Sequence, residues 1–269
     1  MQSRLLHLDF KSTALRHSTS LYAIIPEVTE NFSRDQYQVL YLLHGMGDDY
    51  TKWVRRTNIE QYVRNYQLVV ISAGFANSFY TNMKHGDDYW TFLTEELPSI
   101  TNKLFSISHD RKDHFVAGMS MGGFGAFKWA INKPEMFEVA GSFSGVLDPT
   151  AFFNDHDKGL LTALHLTGSE HYLKDVYDQV WGHGTTLAKT KNDLSWLLTH
   201  QQDQELPELY QYCGTEDPIL QFNQKFADTA DSLPSIRHNF YKSPGHHDWN
   251  YWDSCIHDFL EKLPLRMAN

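Results

Sequence analysis

Four stretches of this chain are almost wholly apolar, and each carries a glycine at or near its end: "YQVLYLLHG", "LVVISAG", "HFVAGMS" and "FEVAGSFSG". A strand with one face in water alternates polar and apolar residues. An unbroken apolar run of strand length therefore belongs to a strand covered on both faces. Two later strands are expected at "ELYQYCG" and "RHNFYKSPG", and an opening, alternating pair at "LHLDFKS" and "SLYAIIPE". Helical segments are expected between and after them: residues 53–65, "YWTFLTEELPSITNKLF" with Pro98 at a kink or helix start, "MGGFGAFKWAINK", residues 219–231 and residues 248–262. In the last of these Trp249, Trp252, Ile256, Phe259 and Leu263 recur at helical spacing. Buried strands alternating with helices predict an α/β fold, a mostly parallel central sheet with helices on both faces.

The 269 residues fit one large domain or two small ones, and the strand–helix rhythm, broken once, favours a single domain over 1–269. Only residues 147–207 fit no strand–helix unit. They are expected to form short helices capping the sheet edge, a cap-like insert that shapes a pocket. With 41 % apolar and 21 % charged residues, the chain has material for a core. A net charge of -10 without Lys/Arg clusters makes nucleic acid and anionic membranes poor partners. No stretch reaches the roughly 20 apolar residues of a membrane span, and the N-terminus lacks the apolar run of a signal peptide. Two cysteines, Cys213 and Cys255, allow at most one bridge, so a reducing cytoplasm is the expected compartment. Trp53, Trp90 and Trp181 are assigned to the core.

Ligands of such folds bind beyond the carboxyl ends of the strands, so the residues after each strand carry the candidates. After "HFVAG" comes Gly118-Met119-Ser120-Met121-Gly122, a Gly-x-Ser-x-Gly turn between strand and helix. The alternative, a glycine turn for close packing, is outweighed by that context, which lifts a serine hydroxyl over the sheet as a nucleophile. A serine needs a base, and the base an orienting carboxylate, in the chain order Ser, acid, His. "TEDPIL" follows the strand "ELYQYCG" and offers Asp217, with Glu216 in reserve; Asp217 would also suit a helix cap. "SPGHHDW" follows the last strand. Adjacent residues of an extended loop point apart, so one of His246 and His247 at most faces Ser120. Asp248 suits the N-cap of the final helix, which favours His247 beside it. Metal binding by "HHD" with "HGMGDD" or "HGDD" is weaker, because adjacent histidines rarely share an ion. Two backbone N–H groups are needed for a developing oxyanion: Met121, after the serine, offers one, and the other is expected from the loop "HGMGDDYTKW", where Met46 lies between Gly45 and Gly47 and a simple glycine turn is the alternative.

Together "YLLHGMGDDYTKW", "DDYWTFLTEELP", "HFVAGMSMGGFGAFKWA", "FEVAGSFSG", "CGTEDP" and "PGHHDW" resemble the esterase D-type esterases. That group includes S-formylglutathione hydrolases, feruloyl and acetylxylan esterases, antigen 85 mycolyltransferases and bacterial tributyrin esterases; the likeness to the last is strongest. The resemblance covers residues 37–259. It implies an α/β-hydrolase fold with Ser120, Asp217 and His247 as triad, Met46 and Met121 as oxyanion donors, and neither metal nor organic cofactor. The family's last motif commonly reads Pro-Gly-Gly-His-x-Trp, which aligns His247 with the catalytic histidine and puts His246 where glycine is common. The expected activity is a serine carboxylesterase acting on a small-molecule short-chain ester. A thioesterase for S-formylglutathione, a carbohydrate deacetylase or feruloyl esterase, and an acyltransferase are the alternatives. Cysteine is frequent in the loop after the central strand of formylglutathione hydrolases and absent from "HGMGDDYTKW". Related esterases are often dimers or tetramers, so a homo-oligomer is open.

Overall fold

The computed structural model describes residues 3–26, 37–154, 162, 164, 171–200 and 204–268. The opening segments form β1 (Ser3–Lys11) and β2 (Ser18–Pro26), paired antiparallel along their whole length. The wholly buried β3 (Gln38–Leu43) leads to α1 (Lys52–Arg56), α2 (Ile59–Val63) and a second wholly buried strand, β4 (Leu68–Ala73). Helix α3 occupies residues 89–104, and β5 (His114–Met119) then runs into α4 (Met121–Asn132). After β6 (Val139–Phe143) the described residues include the short helices α5 (Pro149–Asn154), α6 (Tyr172–Trp181) and α7 (Leu194–His200). The chain closes with β7 (Glu208–Gly214), α8 (Leu220–Asp231), β8 (His238–Ser243) and α9 (Trp249–Lys262).

The eight strands form one sheet in the order β1-β2-β4-β3-β5-β6-β7-β8, antiparallel at the first two pairs and parallel thereafter. This is the α/β-hydrolase arrangement expected from the buried apolar runs. Successive residues of a strand face opposite sides, and the core divides accordingly. Val39, Tyr41 and Leu43 pack with Phe127 and Trp129 of α4 and Leu93 of α3. Leu40 and Leu42 pack with Trp53, Ile59 and the α9 residues Trp252, Ile256 and Phe259. The chain moves from β3 outward to β4 and then crosses to β5 on the other side of β3. The crevice between β3 and β5 is therefore the topological switch point, where such sheets bind ligands.

One expectation is corrected by contacts between distant segments, and Pro98 stands near a helix start as expected. The helix over 53–65 is split at Thr57 and Asn58, because Asp253 of α9 takes the Asn58 N–H at 2.8 Å and the Tyr62 hydroxyl at 2.9 Å. Helix α3 widens to a π-helical turn at Phe92–Glu96, just before Pro98, which has no N–H to continue the ladder. In that turn Glu96 accepts from the Thr13 and Ala14 N–H groups. Of the segment 147–207, expected to be a cap-like insert, residues 155–161, 163, 165–170 and 201–203 lie outside the described ones. Helix α7 packs on α4 and α8, while Phe152 of α5 and Tyr172 of α6 stand over the carboxyl ends of the central strands. Among the described residues no helix is long and apolar enough to cross a membrane. Cys213 and Cys255 are buried free thiols.

Candidate active site

Parallel pairing aligns the strand ends: Leu43 lies opposite Gly118, Met119 opposite Phe143, Phe143 opposite Tyr212, and Gly214 opposite Ser243. The loops that follow these residues share one rim. Ser120 sits there at φ 54°, ψ -119°, a left-handed backbone that L residues avoid. Its neighbours show what holds it. A Cβ on Gly122 would overlap the Leu43 carbonyl, and one on Gly118 would overlap the Gly122 carbonyl, so only glycine lets strand and helix approach this closely. The Ser120 N–H donates to Phe143 O at 2.9 Å, and Ser120 O accepts from Val146 N–H at 3.2 Å. Its hydroxyl thus stands at the N-terminal, positive end of α4.

The structure brings Ser120, His247 and Asp217 together. His247 Nε2 lies 3.0 Å from Ser120 Oγ, and His247 Nδ1 lies 3.0 Å and 3.2 Å from the two Asp217 oxygens. A carboxylate can only accept, so Nδ1 carries the ring proton and Nε2 is left to accept from the serine hydroxyl. The Asp217 side chain is fully buried and that of His247 nearly so. Burial pushes the Asp217 pKa up, but the facing His247 ring, bonds from His247 and Ile219 N–H and the nearby Ser144 hydroxyl outweigh it and hold the carboxyl below its ordinary value.

Glu216 and His246 do not join this group. Glu216 is solvent-exposed and acts as a clamp: its Oε2 accepts from Gly245 N–H at 2.6 Å, and its own N–H donates to Gly245 O at 3.1 Å. His246 points the other way, into a cavity lined by Tyr241 and Tyr251. Asp248 is the N-cap of α9, accepting from Tyr251 N–H at 3.0 Å. Among the described residues no three His, Cys, Asp or Glu side chains converge as a metal-binding group.

Met121, as first residue of α4, has no intrahelical acceptor for its N–H. Met46 lies in the loop after β3, where Gly45 approaches Ser120 so closely that a Cβ on it would stand 3.5 Å from Ser120 Cβ. The loop is held by side chains. Trp53 Nε1 donates to Leu43 O at 3.1 Å, Tyr80 OH to His44 O at 2.8 Å, and His44 Nδ1 to Gly45 O at 2.8 Å. His44 Nε2 accepts from Phe75 N–H at 2.9 Å, which fixes the tautomer, and burial pushes its pKa down and keeps the ring neutral.

Ser144, at the end of β6, is a member of this constellation that no sequence motif announces. Its φ is 47°, its hydroxyl accepts from Trp252 Nε1 at 3.1 Å, and its proximity helps hold the Asp217 carboxyl below its ordinary value. An indole only donates, so the Ser144 proton is left to face the acceptors beside it, the Asp217 carboxylate and the Cys213 sulfur. The one available signal was position, directly after a buried strand.

A cavity of about 470 Å³ opens beside Ser120 and His247, walled by Phe79, Val146, Phe152, Leu164, Tyr172 and Trp249. Phe79 is braced from behind by Phe153 and Trp181, with ring centroids 4.9 Å and 5.4 Å away. The tryptophans at the cavity are thus Trp249 and Trp252 of α9; Trp53 and Trp181 are core, and Trp90 lies beneath Lys128 and Lys191.

Residues 12–263 match the protein family described as "Putative esterase". An acetyl esterase of Caldicellulosiruptor saccharolyticus is 25 % identical over 266 residues, covering 96 % of this chain and 97 % of that protein. Among solved structures, the fluorophosphonate-binding serine hydrolase F (FphF) of Staphylococcus aureus superimposes with a TM-score of 0.85 at 26 % identity, over 98 % of this chain and 99 % of that one. The S-formylglutathione hydrolase (FrmB) of the same organism gives 0.82 at 27 % identity, with the same coverage. With its α/β-hydrolase sheet and a match that spans nearly its whole length, the chain belongs to this esterase family, the carboxylic ester hydrolases related to esterase D.

Proposed function

We propose that the protein is a serine carboxylesterase for short-chain acyl esters, with Ser120 as nucleophile, His247 as base and Asp217 as orienting acid. One observation carries the reading: the hydrogen-bonded series Ser120 Oγ, His247 imidazole, Asp217 carboxylate at the switch point of the sheet. In the first half-reaction Ser120 Oγ attacks the ester carbonyl while its proton passes to His247 Nε2. The carbonyl oxygen becomes an oxyanion, met by the Met46 and Met121 N–H groups. Collapse breaks the C–O bond to the alcohol, which leaves with the proton from His247, and the acyl group stays on Ser120. Water then attacks the acyl-enzyme, giving its proton to His247; Ser120 recovers a proton and the acid departs. Asp217 holds the imidazole in the required tautomer and faces the imidazolium as it forms. No cofactor enters these steps.

The short acyl preference rests on the braced aromatic wall behind Phe79 and on the similarity to an acetyl esterase. A second reading, a thioesterase for S-formylglutathione, is favoured by the likeness to the staphylococcal hydrolase of that substrate. Hydrolysis of p-nitrophenyl esters from acetate to octanoate tests the proposal, run beside S-formylglutathione. Turnover highest on acetate to butyrate is expected, lost in Ser120→Ala and His247→Ala and largely kept in His246→Ala. Folded wild-type protein that cleaves S-formylglutathione but none of the oxygen esters would replace the first reading with the second.

A further inference from the structure

Met46 is held from both sides, and the two holds differ. On its N-terminal side the peptide is fixed by His44, which donates from Nδ1 to Gly45 O at 2.8 Å. In a trans peptide the N–H points opposite to the C=O, so this bond turns the Met46 N–H away from the His44 ring. On its C-terminal side the peptide is fixed by Asn77, whose Oδ1 accepts from Gly47 N–H at 2.8 Å. Gly47 takes φ 79° here, a left-handed conformation open to glycine. His44 is wholly buried within the core. Asn77 is half-buried and faces two ways: its Nδ2 donates to the Tyr172 hydroxyl at 3.0 Å. Tyr172 begins α6 and lines the cavity beside Ser120. The amide orientation is determined by its partners, because a flipped Asn77 would set NH2 against the Gly47 N–H.

We infer that Asn77 is a positioning residue for the acyl-transfer step: it aims the Met46 N–H at the developing oxyanion, and through Tyr172 it joins that donor to the wall against which substrate packs. The inference rests on the reading of Met46 as an oxyanion donor given above. Asn77 touches no reacting atom; it acts on the φ and ψ of Met46 through the next peptide. A donor aimed at the tetrahedral oxyanion helps the transition state more than the bound ester. Loss of its aim therefore appears in kcat and leaves KM nearly unchanged. The link through Tyr172 predicts coupling. Once Asn77 is gone, removing the Tyr172 hydroxyl has nothing further to release.

The test measures kcat per active site, counted by fluorophosphonate titration of Ser120, so that misfolded protein does not contribute. The variants are Asn77→Ala, Tyr172→Phe and the double. On p-nitrophenyl acetate Asn77→Ala is expected to lower kcat about 10- to 100-fold with KM within about threefold, below the full cost of deleting an oxyanion donor. Tyr172→Phe should lower kcat roughly threefold or more, and the double variant should match Asn77→Ala within about twofold. Affinity for a trifluoromethyl ketone, which forms a tetrahedral oxyanion on Ser120, should fall in parallel with kcat. If Asn77→Ala keeps kcat per site and ketone affinity within about twofold of wild type, the positioning role is overturned. Multiplying effects in the double variant overturn the link to Tyr172. Should Asn77→Ala fail to fold, Tyr172→Phe alone decides: an unchanged kcat overturns the coupled device. Wild-type protein that takes no fluorophosphonate at Ser120 and cleaves no ester fails at the proposed function instead, a result distinct from both.

Discussion

At the scale of single residues, the site depends on hydrogen bonds with assigned directions. Asp217 is buried and still favours its charged form, because the groups around it all donate. A carboxyl whose folded pKa is depressed stabilises the fold above its unfolded pKa, and that stability is lost as pH falls through the folded value. Asp217→Asn removes the acceptor that sets the His247 tautomer. The expected result is a folded protein with kcat lower by about ten-thousand-fold, the loss seen when the orienting acid of a serine triad is replaced by its amide. Circular dichroism and p-nitrophenyl acetate assays check the two halves. Ser144→Ala removes the hydroxyl that stands beside Asp217 and leaves the Trp252 indole N–H without its acceptor. A loss of about 1 kcal/mol, or roughly fivefold in kcat/KM, is expected from the unpaired buried indole and the weaker support of the carboxylate. An unchanged kcat/KM would mean that Asp217 is held well enough by His247 and the Ile219 N–H.

At the scale of elements, the strand–turn–helix of β5 and α4 and the short helices after β6 do different work. The first is rigid because backbone meets backbone: the Cβ of an alanine at 122 would overlap the Leu43 carbonyl. Gly122→Ala must push β3 and α4 apart, so a destabilisation of about 3 kcal/mol or more is expected in urea melts, with activity lost alongside. The helices after β6 shape the cavity. Phe152 of α5 is packed edge-on to Phe153 and Phe222. Phe152→Ala should enlarge the acyl end of the cavity and raise the ratio of octanoate to acetate turnover, at a stability cost of about 3–5 kcal/mol. A chain-length profile that does not move would take Phe152 out of the acyl wall.

At the scale of the whole molecule, two histidines from separate parts of the fold respond to pH in the same direction. Burial pushes the pKa values of His44 and His114 down. Their neutral rings are bound at Phe75 N–H and Ser108 O. A histidine that stays neutral in the fold and charges in the unfolded chain makes the unfolded state bind more protons below about pH 6.5. Stability is therefore complete above that value and declines as pH falls toward the lowered folded pKa values. Thermal melts should show a flat Tm above about pH 7 and a falling one from about 6.5 to 5, with the contributions of the carboxylates added further down. A Tm constant from pH 7 to 5 would contradict neutral burial of these rings.

The order of strands and helices was legible in the sequence because it is written locally, in periodicity, in glycine at the turns and in Asp248 as a cap. The same local signals pointed to the loops that hold Ser120, Asp217 and His247, since each follows a strand directly. Other features were decided only when distant segments met. Ser120 and His247 are 127 residues apart, and Trp252 and Ser144 are 108 apart. The register of the parallel strands puts these loops on one rim and turns His246 away. Contacts of that kind also made Glu216 a clamp, split the helix after β3 at Asp253, and drew Asn77 and Tyr172 onto the Met46 loop. A sequence pattern records what a residue does to its own neighbourhood in the chain. Whether a serine, an amide or a tryptophan reaches a carboxylate depends on the sheet that carries them, and that belongs to the tertiary structure.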